Sequence, residues 1–409
     1  MSTEDHLKTM ISLGQYIPNR HCGYCGSSNG SSIYGLNALS LTVDHYQQLM
    51  DRGWRRSGKF LYKPDLKNSC CPQYTIRIKE SAFKPSKEHR QAINKFNRFI
   101  LGSQYDSVQK LSMTSKHAGF NLSTSIHCAE YGNIPQTIRE NIKHRLTVKL
   151  VTPEFTQEKY ALYRHYQQYC HKEPLEQITP SGFKRFLCDA PFSLVQGAYC
   201  VTADGKHVGL WHQMYYVDGV LVAMAVLDFL PDTISGVYFM SREDYSKHEF
   251  GKLSACREIL LSHEENKPYY HIGLYVYHCQ KMKYKASFKP SELLDPELYE
   301  YFSFDKFEPE LAKRLYVTFD PAYSNPLRTV SGRQQSAFSA NMSGILARSS
   351  VEAIFDDFNV TLIIQNRSML GTHLKALLPD VYKSLHHTLV EMEAVIGVEL
   401  FEQFAISVN

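Results

Sequence analysis

The stretch ISGVYFMSREDYSKHEFGKLSACREILLSHEENKPYYHIGLYVY, residues 234–277, decides the fold. Its first eight residues have the composition of a strand. KLSACREILLSHEE (252–265) follows with helical spacing that turns Leu253, Cys256, Ile259 and Leu260 inward. YYHIGLYVY (269–277) reads as a second strand, and a strand that returns after a helix lies parallel to a neighbour. Upstream, the apolar run 193–231 carries the hairpin signals Asp204-Gly205 and Asp218-Gly219.

Strands, then a strand, a helix and a strand, make up the central unit of the GNAT acyltransferase fold. A CoA-dependent member would hold the pyrophosphate on backbone amides of a glycine-rich turn at the helix start. SREDYSKHEFGK (241–252) has one glycine and cannot build that nest. The expectation is an α+β protein with a GNAT-like acyltransferase core, an N-terminal cysteine-rich metal-binding region, and no CoA. Three segments follow: a metal-binding and basic part at 1–136, the core at 137–310, and an extension at 311–409 packed on it. Residues 137–190 read mostly as helices, and 102–135, rich in Ser, Thr and Asn, as a long loop or linker.

Cys22 and Cys25 have the C-x2-C spacing that closes on one ion without strain, and Cys70 and Cys71 form a second pair before Pro72. Four thiolates suit zinc or an iron–sulfur cluster. The alternative is a set of redox-sensitive or buried thiols. No run of about 18 apolar residues occurs, and LVAMAVLDFL (221–230) is broken by Asp228. The opening MSTEDHLKTM is polar, so neither a secretory leader nor a transit peptide is expected. The expected compartment is reducing: the cytoplasm, with the nucleus as a further location.

The net charge of +4 is unevenly spread. Residues 1–100 hold 15 Lys and Arg against 7 Asp and Glu, and residues 351–409 hold 3 against 8. Such a front favours a polyanionic partner, although ordinary surface charge explains it as well. WRRSGKFLYKP (54–64) mixes basic and aromatic residues. SKEHRQAINKFNRFILG (86–102) reads as a helix capped by Ser86 and stopped by Gly102.

CGYC (22–25), CCPQYTIR (70–77), FKPSKEHR (83–90), YQQYCHKEP (166–174), VLDFLPDTISGVYF (226–239) and YVYHCQKMKYKASFKPSELL (275–294) resemble the sequence blocks of the eukaryotic arginyl-tRNA–protein transferases. The resemblance covers residues 15–100 and 150–300. It implies transfer of arginine from arginyl-tRNA to the α-amine of proteins beginning with Asp, Glu or oxidised Cys. The product is a degradation signal of the N-degron pathway. It also implies a GNAT-like fold without CoA, and zinc or an iron–sulfur cluster at Cys22, Cys25, Cys70 and Cys71.

Such chemistry is aminolysis of an activated ester, so it needs alignment more than a nucleophile. The donor guanidinium requires a carboxylate, for which Asp228 and Glu258 are candidates. Tyr238 is a candidate proton shuttle. The acidic acceptor requires cations: Arg77, Lys281, Lys283 and Lys285, although these lysines could equally grip tRNA phosphates. Arg55, Arg56, Lys59, Lys87, Arg90 and Arg98 are the expected tRNA contacts. Rival readings are a metal-dependent tRNA-binding module without transferase activity and a CoA-dependent acetyltransferase.

Overall fold

The computed structural model describes residues 9–112, 120–194, 197–323, 336–365 and 367–408. Among these, nine strands form one mixed sheet and eight form another. The larger sheet runs Tyr301–Ser303, Ser291–Leu294, Tyr74–Lys79, Tyr269–Tyr275, Thr233–Ser241, Val220–Phe229, His207–Val217 and Leu146–Val151. Tyr199–Val201 pairs with His207–Val217 beside that path.

The strand–helix–strand unit forms as its periodicity predicts. Helix Phe250–Glu264 buries Leu253, Cys256, Ile259 and Leu260, and Tyr269–Tyr275 returns parallel to Thr233–Ser241. The hairpin before it turns at Asp218 and Gly219, with φ of 52° and 80°. This left-handed geometry is what an Asp-Gly pair supplies most readily. The first third of the chain enters the same sheet: Tyr74–Lys79 pairs with Tyr269–Tyr275 on one side and Ser291–Leu294 on the other. Its Tyr74, Ile76 and Ile78 are buried, as alternation predicts.

Helix Lys87–Leu101 starts at Ser86, whose hydroxyl caps the His89 amide, and ends at Gly102. It packs on helix Phe250–Glu264 through Phe96 and Phe250, whose rings are 5.2 Å apart. The expected loop 102–135 is corrected: it holds helices Tyr105–Ser112 and Leu122–His127. Ile126 and Cys128 are buried there, and Asn97 donates to the Ser125 carbonyl at 2.7 Å. The span 137–190 includes an edge strand, Leu146–Val151, as well as helices.

The smaller sheet joins both ends of the chain. Met10–Ser12 pairs parallel to Ala405–Ser407, which pairs parallel to Thr361–Ile364. The acidic tail is thus ordered and packed. Between the sheets, Lys63 is buried and donates to the Tyr299 hydroxyl at 2.5 Å and the Gly344 carbonyl at 3.0 Å. No helix among the described residues is long and apolar enough to cross a membrane.

Candidate metal centre and charged cleft

The sulfur atoms of Cys22, Cys25, Cys70 and Cys71 lie within 4.8 Å of one another. Tetrahedral thiolate ligation at ~2.3 Å would set them about 3.8 Å apart, so the cradle fits one thiophilic ion. The backbone makes this possible. Gly26 N–H donates to the Cys22 carbonyl at 2.9 Å, and Cys70 N–H to the Gly30 carbonyl at 2.7 Å. A Cβ on Gly30 would sit 2.5 Å from the Cys70 sulfur, so only glycine fits. A backbone hydrogen bond from Ser27, then a side-chain one from Cys70, lowers the Cys25 thiol to about 7, whereas burial raises Cys70 to about 12 and raises Cys71 as well. Thiolate is therefore available at Cys25 at neutral pH.

The second feature is a parting of strands. Thr233–Ser241 and Tyr269–Tyr275 pair only at Thr233–Tyr269, Ile234–Tyr270 and Ser235–His271. Beyond them Gly236, Val237, Tyr238 and Phe239 are all half-buried, whereas the residues just before are buried. A gap opens in mid-sheet, where backbone groups and side chains from both strands face each other.

Polar groups of two kinds line it. Glu258 is 3 % exposed and accepts from Ser254 and Tyr270. Its Oε2 lies 3.7 Å from where a Cβ on Gly236 would be. Burial pushes its carboxyl above the usual range, against those hydrogen bonds. Among the described residues it has no ion-pair partner. Tyr238, farther along the same strand, donates to Gln167 at 2.8 Å and meets His171 Nε2 at 3.2 Å. Gln167 and His171 belong to a π-helical turn, Gln167–His171, inside YQQYCHKEP. Such turns often mark functional sites.

The opposite wall is cationic at Lys285, whose Nζ lies 3.5 Å from where a Cβ on Gly273 would be, and further cations lie behind it on and beyond Tyr269–Tyr275. Lys285 donates to the Leu274 carbonyl at 2.8 Å. Burial, then Arg55 nearby, lowers its pKa to about 8. Arg77 donates to Glu292 at 2.7 Å and is sandwiched between Tyr269 and Tyr301, 3.8 and 3.4 Å from their ring centres. His271 is fully buried, and burial followed by Arg55 and Arg77 holds it neutral. The metal centre adjoins this wall. Burial raises the Tyr24 hydroxyl, and Tyr62, Cys22, Cys279 and Cys71 lie within its electrostatic reach.

Several expectations need correction. Asp228 is fully buried, but its carboxylate is already occupied: Arg56 grips it with Nε at 2.7 Å and Nη2 at 2.6 Å. Burial opposes the charge on Arg56, yet Asp228 carries its pKa above the usual value. Asp228 therefore offers no free carboxylate to a substrate, and Arg56 none of its charge to tRNA. Arg55 is likewise buried, at 6 % exposure, because its strand Arg55–Ser57 is tucked beside fully buried Trp54. Lys59, Lys87, Arg90, Arg98, Lys281 and Lys283 are exposed. Sequence reasoning missed Gln167, His171, Ser254, Tyr270 and His271; the only signal was their place inside or beside the motif blocks.

Fold and site define an α+β protein in which a four-thiol cradle that could hold a metal ion accompanies a gap lined by a buried carboxyl and an amine. Two family models match it. One, described as Arginine-tRNA-protein transferase, N terminus, covers residues 20–91, and the other, described as its C terminus, covers residues 158–295. The chain belongs to the arginine-tRNA-protein transferase family. Arginyl-tRNA--protein transferase 1 of Arabidopsis thaliana is 26% identical over 462 residues, covering 72% of this chain and 73% of that protein. Its namesake in Saccharomyces cerevisiae is 32% identical over 320 residues, covering 68% and 59%. An aspartate/glutamate leucyltransferase of Pseudomonas putida is 25% identical over 278 residues, covering 67% and 89%. The two matched blocks contain the four cysteines, Arg55, Arg77, Tyr238, Glu258, His271 and Lys285.

Proposed function

We propose that this chain moves arginine from arginyl-tRNA to the N-terminal α-amine of proteins beginning with Asp, Glu or oxidised Cys. The product is an N-degron for ubiquitin-dependent degradation. The proposed place of action is the cytoplasm, with the nucleus as a further location. The observation that carries the reading is the gap between Thr233–Ser241 and Tyr269–Tyr275, with the Glu258 carboxyl beside Gly236 on one side and the Lys285 amine beside Gly273 on the other. The parted parallel strands, with a register shift at Val226 and Leu227 in the neighbouring strand, support a GNAT-like core.

The α-amine nitrogen attacks the ester carbonyl carbon, the bond to the ribose oxygen breaks, and the amine proton ends on that oxygen. A free α-amine has a pKa of about 7.7–8.0, so a useful share is already neutral. Alignment then supplies much of the rate. Glu258 receives the guanidinium of the donor arginine, which restores charge to a carboxyl that burial disfavours. Burial raises the Tyr238 hydroxyl, so it keeps its proton and can donate toward the leaving oxygen. The four cysteines would hold zinc or an iron–sulfur cluster, and that ligation would tie together the two segments already joined by the Tyr24 hydroxyl donating to Gln73.

Transfer RNA lies along the exposed cations of helix Lys87–Leu101 and Lys59. Lys143 and Lys247 extend that surface around Phe99, at 5.9 and 6.0 Å from its ring centre. The test is transfer of labelled arginine, and separately leucine, from charged tRNA to a peptide beginning with Asp. Labelling from arginyl-tRNA, abolished by acetylating the peptide's α-amine, supports the reading. Labelling from leucyl-tRNA alone, or from neither, refutes it.

A further inference from the structure

Arg55 is anomalous among the buried cations. Its Nη1 donates to the Trp54 carbonyl at 2.8 Å, but Nε and Nη2 are buried and have no hydrogen-bond partner among the described residues. These two nitrogens form one edge of the guanidinium, the edge that takes a carboxylate side-on with two parallel bonds. His271 is fully buried beside it, and neither ring nitrogen has a partner. Unpaired buried donors of this kind are rare and costly, and a missing ligand is one of the few explanations for them.

Each neighbouring charge already has a partner. Arg77 is matched by Glu292 and Arg56 by Asp228. Asp51 lies within electrostatic reach of Arg77 and Arg55, but its oxygens are held by Gln47 at 3.0 Å and by the Tyr301 hydroxyl at 3.2 Å, and it makes no ion pair with Arg55. Lys285 is tied to the Leu274 carbonyl. The unmet demand is therefore for one small, planar anion with two acceptor oxygens.

We infer that the free edge of Arg55, with His271 beside it, is the subsite that reads the acidic side chain of the acceptor's first residue. The assignment rests on the arginyl-transfer reading and replaces Arg77 in that role. A carboxylate fits better than a tRNA phosphodiester. The edge is buried between two sheets, and its geometry is planar and two-pronged.

The experiment compares two peptides that differ only in beginning with Asp or Asn, using full-length wild type and Arg55→Lys with arginyl-tRNA as donor. The Asp-over-Asn ratio of kcat/KM, taken on one preparation, is insensitive to any misfolded fraction. The ratio should fall by about 10-fold or more in R55K, because the lost bidentate bond discriminates the charged acceptor. The KM for arginyl-tRNA should not change. If R55K fails to accumulate, Arg55→Gln is read by the same ratio. An unchanged ratio overturns the assignment, as does a loss that falls on arginyl-tRNA instead. A wild type that transfers arginine without preferring Asp would overturn the acceptor reading beneath it.

Discussion

Arg55 and Arg56 leave the same short strand, Arg55–Ser57, and both end in the interior. Arg56 meets a carboxylate with both prongs of its fork, whereas Arg55 meets none. Glu258 and Asp228 repeat the contrast in the opposite sign: Asp228 has its guanidinium and Glu258 has no cation. The matched pair holds the two sheets together. Glu258 and Arg55 are left without a charged partner, and in the proposed reaction the donor's guanidinium would complete the first and the acceptor's acid the second. Stability and function thus draw on the same residue types, told apart only by whether the fold supplies the partner.

The largest difference should appear in unfolding. Asp228→Ala leaves the Arg56 guanidinium buried and uncompensated, at a cost of about 3–5 kcal/mol. Arg55→Lys breaks no ion pair, so its urea midpoint should stay near wild type. Equal midpoints for the two variants would erase the distinction. Next comes Glu258→Gln. Removing the charge should lower kcat/KM for arginyl-tRNA by about 10- to 100-fold while sparing the Asp-over-Asn preference. A loss of that preference instead would place the acceptor, not the donor, at Glu258.

A smaller effect follows from Lys285. Its folded pKa of about 8 lies below the ordinary lysine value of 10.5. Between those values the unfolded chain binds the extra proton, so stability should rise with pH across that window. Over the same rise through 8, the cationic wall loses a charge and the Asp preference should weaken. Lys285→Met should flatten both profiles, and an unaltered stability profile in that variant would assign the dependence elsewhere. Smallest is the surface term. Neutralising Lys87, Arg90 and Arg98 together should reduce the salt slope of tRNA binding by about 1 for each phosphate no longer neutralised. A slope that does not change would put the tRNA on another face.

The strand–helix–strand unit was legible because period and turn residues are local: Leu253, Cys256, Ile259 and Leu260 announce one face, and Asp218-Gly219 announces a turn. The four cysteines were legible because soft ligands in tight pairs have few other uses. The match of Arg56 to Asp228 was not legible, since 172 residues separate them and a basic run reads as a solvated surface. Trp54, fully buried next to the run, was the clue that it points inward. The helices of 105–127 were missed because few apolar anchors, chiefly Ile126, fix a segment otherwise rich in Ser and Thr. Glu258 was placed on the correct helix, but its company of Ser254 and Tyr270 needed the fold.

The decisive measurement is a crystal structure of the full chain with a peptide that begins with Asp. The side-chain carboxylate should lie about 2.7–2.9 Å from both Nε and Nη2 of Arg55, with the peptide's α-amine facing the gap beside Gly236. A carboxylate bound at Lys281 or Lys283, with the Arg55 edge still bare, would contradict the division between matched and waiting charges.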